Sequence, residues 1–227
     1  MTELSDKCLE LRKIVLEMCI KAGTGHVTSC FSCVEIMVEL FYHRMKPEDV
    51  FILSKGQASP LLYAILADKG IIPTEWLWEF AKPGAKLGVH LDHHIPGAVI
   101  TAGSLGHGLG IAAGIAKARK IDNKPGTIYC LLGDGECYEG SIWESAIFIG
   151  NENLDNLMVI VDRNGLMVTG DANVGSLEEK FKAFNVPCFK IEYTTKGKGI
   201  PFMENKSLWH GVAPQEEDAE RAIKCLN

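Results

Sequence analysis

Two residues in this chain have the types and settings needed to hold a small, hard cation. Asp134 stands in Gly133-Asp134-Gly135, and Asn164 follows thirty positions later in Asp162-Arg163-Asn164-Gly165. One carboxylate and one amide oxygen make an oxygen-only site of low charge. Such a site suits Mg²⁺, with Ca²⁺ as the other candidate, and leaves positions for water, a backbone carbonyl and a phosphate. The glycines flanking Asp134 let the backbone approach a bulky anion closely. Alone, Gly-Asp-Gly would be an ordinary turn; the second half, after the next apolar run, makes the pair a motif.

The elements that must position these residues can be read beside them. Residues 127–132 run into the Gly-Asp-Gly, and residues 157–161 run into the Asp-Arg-Asn. Both runs are short, almost wholly apolar and partly β-branched, as in strands buried on both faces of a parallel sheet. Between them, residues 141–150 carry a helical pattern, so the unit reads strand, helix, strand. That topology delivers Asp134 and Asn164 to the carboxyl edge of one sheet, where ligands of open α/β sheets bind. The expected class is α/β, a parallel sheet sandwiched by helices. Further helices are expected over residues 4–22, over about 32–43, from Gly56 with Pro60 in the first turn, and over 74–80. Residues 51–54 read as a strand. Residues 82–103, rich in Gly, His and Pro, read as a long irregular loop, which in a compact domain is usually functional. A helix from Ser104 to Ala116 would carry four glycines, each costing about 1 kcal/mol against Ala. They imply close approach of a backbone or ligand, and the first turn would offer N–H groups to a diphosphate. The tail from Gln215 reads as a terminal helix or a frayed end.

With 227 residues, 47% hydrophobic and 23% charged, the chain is expected to form one domain over residues 1–227. A net charge of −6 and the lack of a basic run argue against nucleic acid. No apolar run approaches the roughly 18 residues of a membrane span, and the Met1 segment has no leader pattern, so a cytoplasmic protein is expected. The eight cysteines are scattered, as buried thiols in a reducing cytosol would be. Cys30 and Cys33 form a CxxC without the second pair that zinc usually wants, and Cys33 leads into a helix that would bury it.

Several motifs in order resemble the transketolase family. They are Gly25-His26, residues 51–60, Ile95-Pro96-Gly97 with residues 101–106, residues 133–140, residues 162–165, Lys196-Gly197-Lys198-Gly199 and Trp209-His210-Gly211. The pair of Asp134 and Asn164 resembles the thiamine-diphosphate-binding motif, and the resemblance implies the fold of the diphosphate-binding domain. It implies that Asp134, Asn164 and the carbonyl of Leu166 bind Mg²⁺. Gly133, Gly135, Gly103, Ser104 and Leu105 would line thiamine diphosphate, with Leu166 and Val168 near its thiazolium end. His26 would face the reacting sugar carbons, His90 would lie near the cofactor's reactive carbon, and His210 would sit at the diphosphate and shuttle protons. Glu139 resembles an acidic residue at the subunit contact, and Lys196-Gly197-Lys198-Gly199 reads as a flexible basic loop that would help at the diphosphate entrance. The family accounts for neither His93 nor His94, read as loop residues, and His107 replaces its usual glutamine.

Two departures stand out. Gln57 occupies the place of a family histidine; it keeps hydrogen-bonding capacity but cannot become cationic, which points to an altered sugar substrate. The family also has an αβ segment, on the order of 30 residues, that is missing here between Phe184 and the Lys196 loop. In the family, a glutamate on a separate pyrimidine-binding domain completes the cofactor chemistry, and this chain ends at Asn227 before any such domain. The expectation is a split enzyme: a diphosphate-binding subunit joined to a C-terminal transketolase subunit in an α2β2 heterotetramer. It would move a two-carbon ketol unit from a ketose (phosphate) donor to an aldose acceptor. The alternatives are another thiamine-dependent carboligase, a subunit transferring acyl groups from a 2-oxoacid, or a non-catalytic scaffold that retains the fold. A nicotinamide-binding fold lacks its signature, because no G-x-G-x-x-G follows the first strand.

Overall fold

The computed structural model describes residues 3–227. In chain order the elements are α1 (Glu3–Ala22), α2 (Val27–Ser32), α3 (Val34–Glu39), β1 (Val50–Leu53), α4 (Ser59–Asp68), α5 (Gly108–Ile121), β2 (Ile128–Gly133), α6 (Gly140–Asn151), β3 (Leu157–Arg163), β4 (Leu166–Met167), β5 (Gly170–Asp171), α7 (Leu177–Ala183), β6 (Phe189–Tyr193) and α8 (Glu216–Cys225). The packing divides them into two compact units. One gathers the chain up to Arg44 with Gln57–Thr101 and Thr194–Asn227; the other gathers Met45–Gly56 with Ala102–Tyr193.

The second unit is a parallel sheet flanked by helices, in the order β1-β2-β3-β6. Ile128, Cys130, Leu131 and Leu132 of β2 and Val159, Ile160 and Val161 of β3 are buried, which explains their unbroken apolar spelling. The register pairs Gly133 with Asp162, so the two halves of the motif leave neighbouring strands side by side. Helix α5 packs on β1, β2, β3 and α6, and α7 packs on β6. Strands β1 and β6 are the edges, and Lys190 and Glu192 of β6 form an ion pair. After β6 the chain enters turns, without a further helix–strand pair.

In the first unit α1 packs against α2, α3, α4 and α8. Leu11, Val15, Leu16, Met18 and Cys19 form its buried stripe. Helix α4 is buried from Ser59 to Ala67, and Pro60 sits in its first turn, where no N–H is needed. Arg12 is buried but satisfied, donating to the carbonyls of Phe31 and Lys198 and to Glu35. The tail is helical as α8, with Glu216, Glu217 and Asp218 favourably placed in its first turn. Among the described residues no helix is long and apolar enough to cross a membrane.

Two expected helices start elsewhere. The one expected at about Ser32 begins at Val27, breaks at Cys33 and ends in a wide π-turn over Leu40–Arg44. All six residues of α2 are buried, so it has no polar face for periodicity to reveal. The helix expected from Ser104 begins at Gly108, because Gly106 adopts φ +88° and turns the chain first. The N–H groups at Ser104 therefore belong to a turn, not to a helix start. Close approach does explain part of the glycine content. A Cβ on Gly108 would lie 2.4 Å from the Ser54 hydroxyl, and one on Gly106 2.7 Å from Cβ of Glu139. Gly114 meets nothing within 4 Å.

Candidate functional site

Asp134 emerges buried from the end of β2. Its carboxylate accepts from the N–H of Gly135 (2.8 Å) and of Gly165 (2.6 Å), so it reaches across to the turn that carries Asn164. Asn164 accepts from the N–H of Leu166 (3.1 Å) through Oδ1 and turns Nδ2 toward Asp162 (3.5 Å). Burial pushes the Asp134 carboxyl above its usual value; Asp162 adds to this, while the Gly165 and Gly135 N–H groups and Lys55 oppose it. Among the described residues Asp134 joins no ion pair. The donors are hard oxygens, each retaining a lone pair, and one pair belongs to a buried carboxylate. They fit a divalent cation, and Asp134, Asn164 and the Leu166 carbonyl are the groups that would hold it. Leu166 is half-buried in the β4–β5 hairpin, and Val168 at its tip is 68% exposed. Gly103 and Leu105 are half-buried and Ser104 exposed in the turn before α5. Glu139 is exposed at the N-terminus of α6.

Three polar residues beneath these loops escaped the sequence reading. Glu136 is buried and accepts from Ser54 Oγ, from the Gly106 N–H (2.9 Å) and from the Gly133 N–H (3.2 Å). It thereby joins the end of β1 to the Gly106 turn and the end of β2, and burial raises its carboxyl. Lys55 and Asp162 form a buried ion pair. The signal for Lys55 lay in the motif at residues 51–60, and that for Glu136 in the motif at residues 133–140.

The histidines belong to the other unit and come together there. The His26 ring centroid lies 5.5 Å from that of His90 and 5.7 Å from that of His210. His26 precedes α2, the carbonyl of His90 accepts from the Tyr63 hydroxyl (3.0 Å), and the Trp209 carbonyl before His210 accepts from Thr28 (3.1 Å). Gly211 lies against the His26 ring; a Cβ there would be 3.1 Å from Nε2. Buried Lys196 stands 3.0 Å from His210 Nδ1. An ammonium only donates, so a charged Lys196 makes Nδ1 the acceptor and leaves the ring proton on Nε2. The cluster thus combines three imidazoles and a cation, suited to holding an anionic or hydroxylated ligand and moving protons. Gln57 is half-buried; its carbonyl accepts weakly from Cys30 Sγ (3.8 Å), and no hydrogen bond joins its side chain to these histidines. His93 and His94 are exposed, held by Thr101 and Asp92 respectively. His107 is exposed just before α5. Cys30 and Cys33 are buried, and the Cys33 thiol donates to the Ser29 and Cys30 carbonyls, as in packing roles.

Residues 5–206 match the family described as "Transketolase, thiamine diphosphate binding domain". This chain belongs to the transketolase family. Over 261 residues it is 36% identical to the transketolase of Pongo abelii, covering 97% of this chain and 41% of that protein. It is 34% identical to the 6-deoxy-6-sulfo-D-fructose transketolase subunit SqwG of Clostridium sp. (strain MSTE9), covering 99% of this chain and 96% of that subunit. The fold matches the transketolase of Campylobacter jejuni with a TM-score of 0.91 at 27% identity, covering 100% of this chain and 43% of that one. The transketolase-family chain therefore spans about two fifths of such transketolases and nearly all of the subunit. The 261-residue match exceeds its own 227 residues, so the relative carries residues within the matched region that this chain lacks.

Proposed function

We propose that this chain is the diphosphate-binding subunit of a two-component, thiamine-diphosphate-dependent transketolase. The observation that carries the reading is the convergence of Asp134 and Asn164 at adjacent strand ends, oxygens held by backbone N–H groups. Asp134, Asn164 and the Leu166 carbonyl would hold Mg²⁺ (or Ca²⁺) at the diphosphate. Gly133, Gly135, Gly103, Ser104 and Leu105 would line the cofactor, with Leu166 and Val168 packing near its thiazolium end. When bound, thiamine diphosphate supplies the electron sink for a carbanion. The work of the chain's own side chains is to bind, orient and move protons. His26 and His90 would hydrogen-bond the sugar and exchange protons with its hydroxyls. His210, beside Lys196, would donate from Nε2 to an anionic oxygen. Gln57 would contact substrate without adding charge, and Glu139 would lie at a subunit contact.

The reaction proposed is two-carbon ketol transfer from a ketose (phosphate) donor to an aldose acceptor. The subunit length of the SqwG relative supports a partner polypeptide that supplies the pyrimidine-binding half, in an α2β2 assembly. Its mostly buried thiols, outside any disulfide, suit a reducing cytosol. Calorimetry of thiamine diphosphate and Mg²⁺ tests the reading, with the chain alone and then mixed with the subunit encoded beside it. Tight, Mg²⁺-dependent binding in the mixture, lost in Asp134→Ala, is the expected result. Absence of binding in both would sink the catalytic assignment in favour of a scaffold.

A further inference from the structure

We infer that Ser54 and Lys55, consecutive residues at the end of β1, are positioning residues that clamp the two halves of the cation site into register. The inference rests on the cation-site reading above. Strand β1 ends with Leu53 paired to Leu131, and the N–H groups of both Ser54 and Lys55 then donate to the Leu131 carbonyl (3.0 and 3.2 Å). The dipeptide is thereby pinned to β2 by its backbone, and its two side chains diverge. Ser54 Oγ donates to Glu136, whose carboxylate holds the N–H groups of Gly133 and Gly106. That arm fixes the loop carrying Asp134. Lys55 Nζ pairs with Asp162, 6% and 0% exposed respectively, and the same Oδ2 faces Asn164 Nδ2. That arm fixes the turn carrying Asn164.

The second arm has a chemical consequence. An asparagine amide can present either oxygen or nitrogen to a site, and only the oxygen ligates a hard cation. Asp162 takes the nitrogen and the Leu166 N–H takes one lone pair of the oxygen; both contacts demand the ligating orientation. Lys55 supplies the charge that lets a carboxylate sit buried beneath that amide. Groups that orient metal ligands from behind typically govern affinity by 10- to 100-fold.

The probe is Mn²⁺ in the presence of thiamine diphosphate and the subunit encoded beside this chain, with free Mn²⁺ read by electron paramagnetic resonance. Removing one partner of a buried pair strands a charge, so the test uses Lys55→Met with Asp162→Leu, an apolar replacement that such sites often tolerate. The expected result is a folded protein, by circular dichroism, whose Mn²⁺ affinity has dropped about 10- to 100-fold. Ser54→Ala, which removes only one hydrogen bond, should also weaken Mn²⁺ binding. Wild-type affinity in the folded double variant overturns the inference while Asp134→Ala still abolishes binding. If the double variant does not fold, wild-type affinity in Ser54→Ala overturns it. Absent or Asp134-independent Mn²⁺ binding in the parent complex removes the cation site itself, and the inference with it.

Discussion

At Asp134 and Glu136 burial acts in one direction, raising both carboxyls. A carboxyl raised in the folded state stabilises folding below its ordinary value, and that contribution is lost as pH climbs through the raised value. Without divalent cation, stability should therefore fall as pH rises through the range just above ordinary carboxylate values. Mg²⁺ binds the ionised form of Asp134 and should restore part of the loss. Denaturant melts across that range, with and without Mg²⁺, check this; a flat profile in both series would count against it. Lys196→Met should weaken anion binding at the histidine cluster by about tenfold or more, the size of a charge-assisted hydrogen bond, measurable with inorganic diphosphate. The residues that announced themselves in the sequence were those whose type is the message: an aspartate between glycines, an asparagine at a fixed spacing, three histidines in separate motifs. Glu136, Lys55 and Asp162 did not, because an acid or lysine is ordinarily solvated and only the packing buries these three.

Helix α5 shows how one residue type serves opposite ends within an element. At Gly108 a methyl group would lie 2.4 Å from the hydroxyl and 2.8 Å from the Cα of Ser54. Gly108→Ala should cost about 1–3 kcal/mol through overpacking. At Gly114 nothing stands in the way, and Gly114→Ala should gain up to about 1 kcal/mol from helix propensity and a less flexible unfolded chain. Urea melts of the two variants should shift in opposite directions; equal shifts would remove the close-approach account. Strands β2 and β3 were legible because a parallel sheet buries both faces and leaves uniform apolar runs. The starts of α2 and α5 were hidden for different reasons: the first lacks a polar face, and the second is delayed by the backbone freedom of Gly106.

For the whole molecule, length is the informative quantity. The chain covers about two fifths of transketolases such as that of Pongo abelii yet 96% of the SqwG subunit. Under the reading proposed above, light scattering of the chain mixed with its neighbouring subunit should give the mass of two copies of each. Separate masses that never combine would leave the exposed Tyr138, Ile147, Phe148 and Val168 without a protein cover and turn attention to another partner.

The cysteines allow each compact unit to be timed by itself. Cys8, Cys19, Cys30 and Cys33 are buried in one unit, Cys130 and Cys137 in the other, and all are thiols outside any disulfide. Burial pushes the Cys19 thiol up to about 12 and raises Cys130 and Cys137 as well, so near neutrality these stay protonated and unreactive. A thiol reagent should consume the exposed Cys225 at once and then wait for the structure to open. The labelling times of Cys19 and Cys130, followed by peptide mass spectrometry, become two clocks in one polypeptide. Their ratio says which unit breathes first, and whether Mg²⁺ slows only the one that holds Asp134.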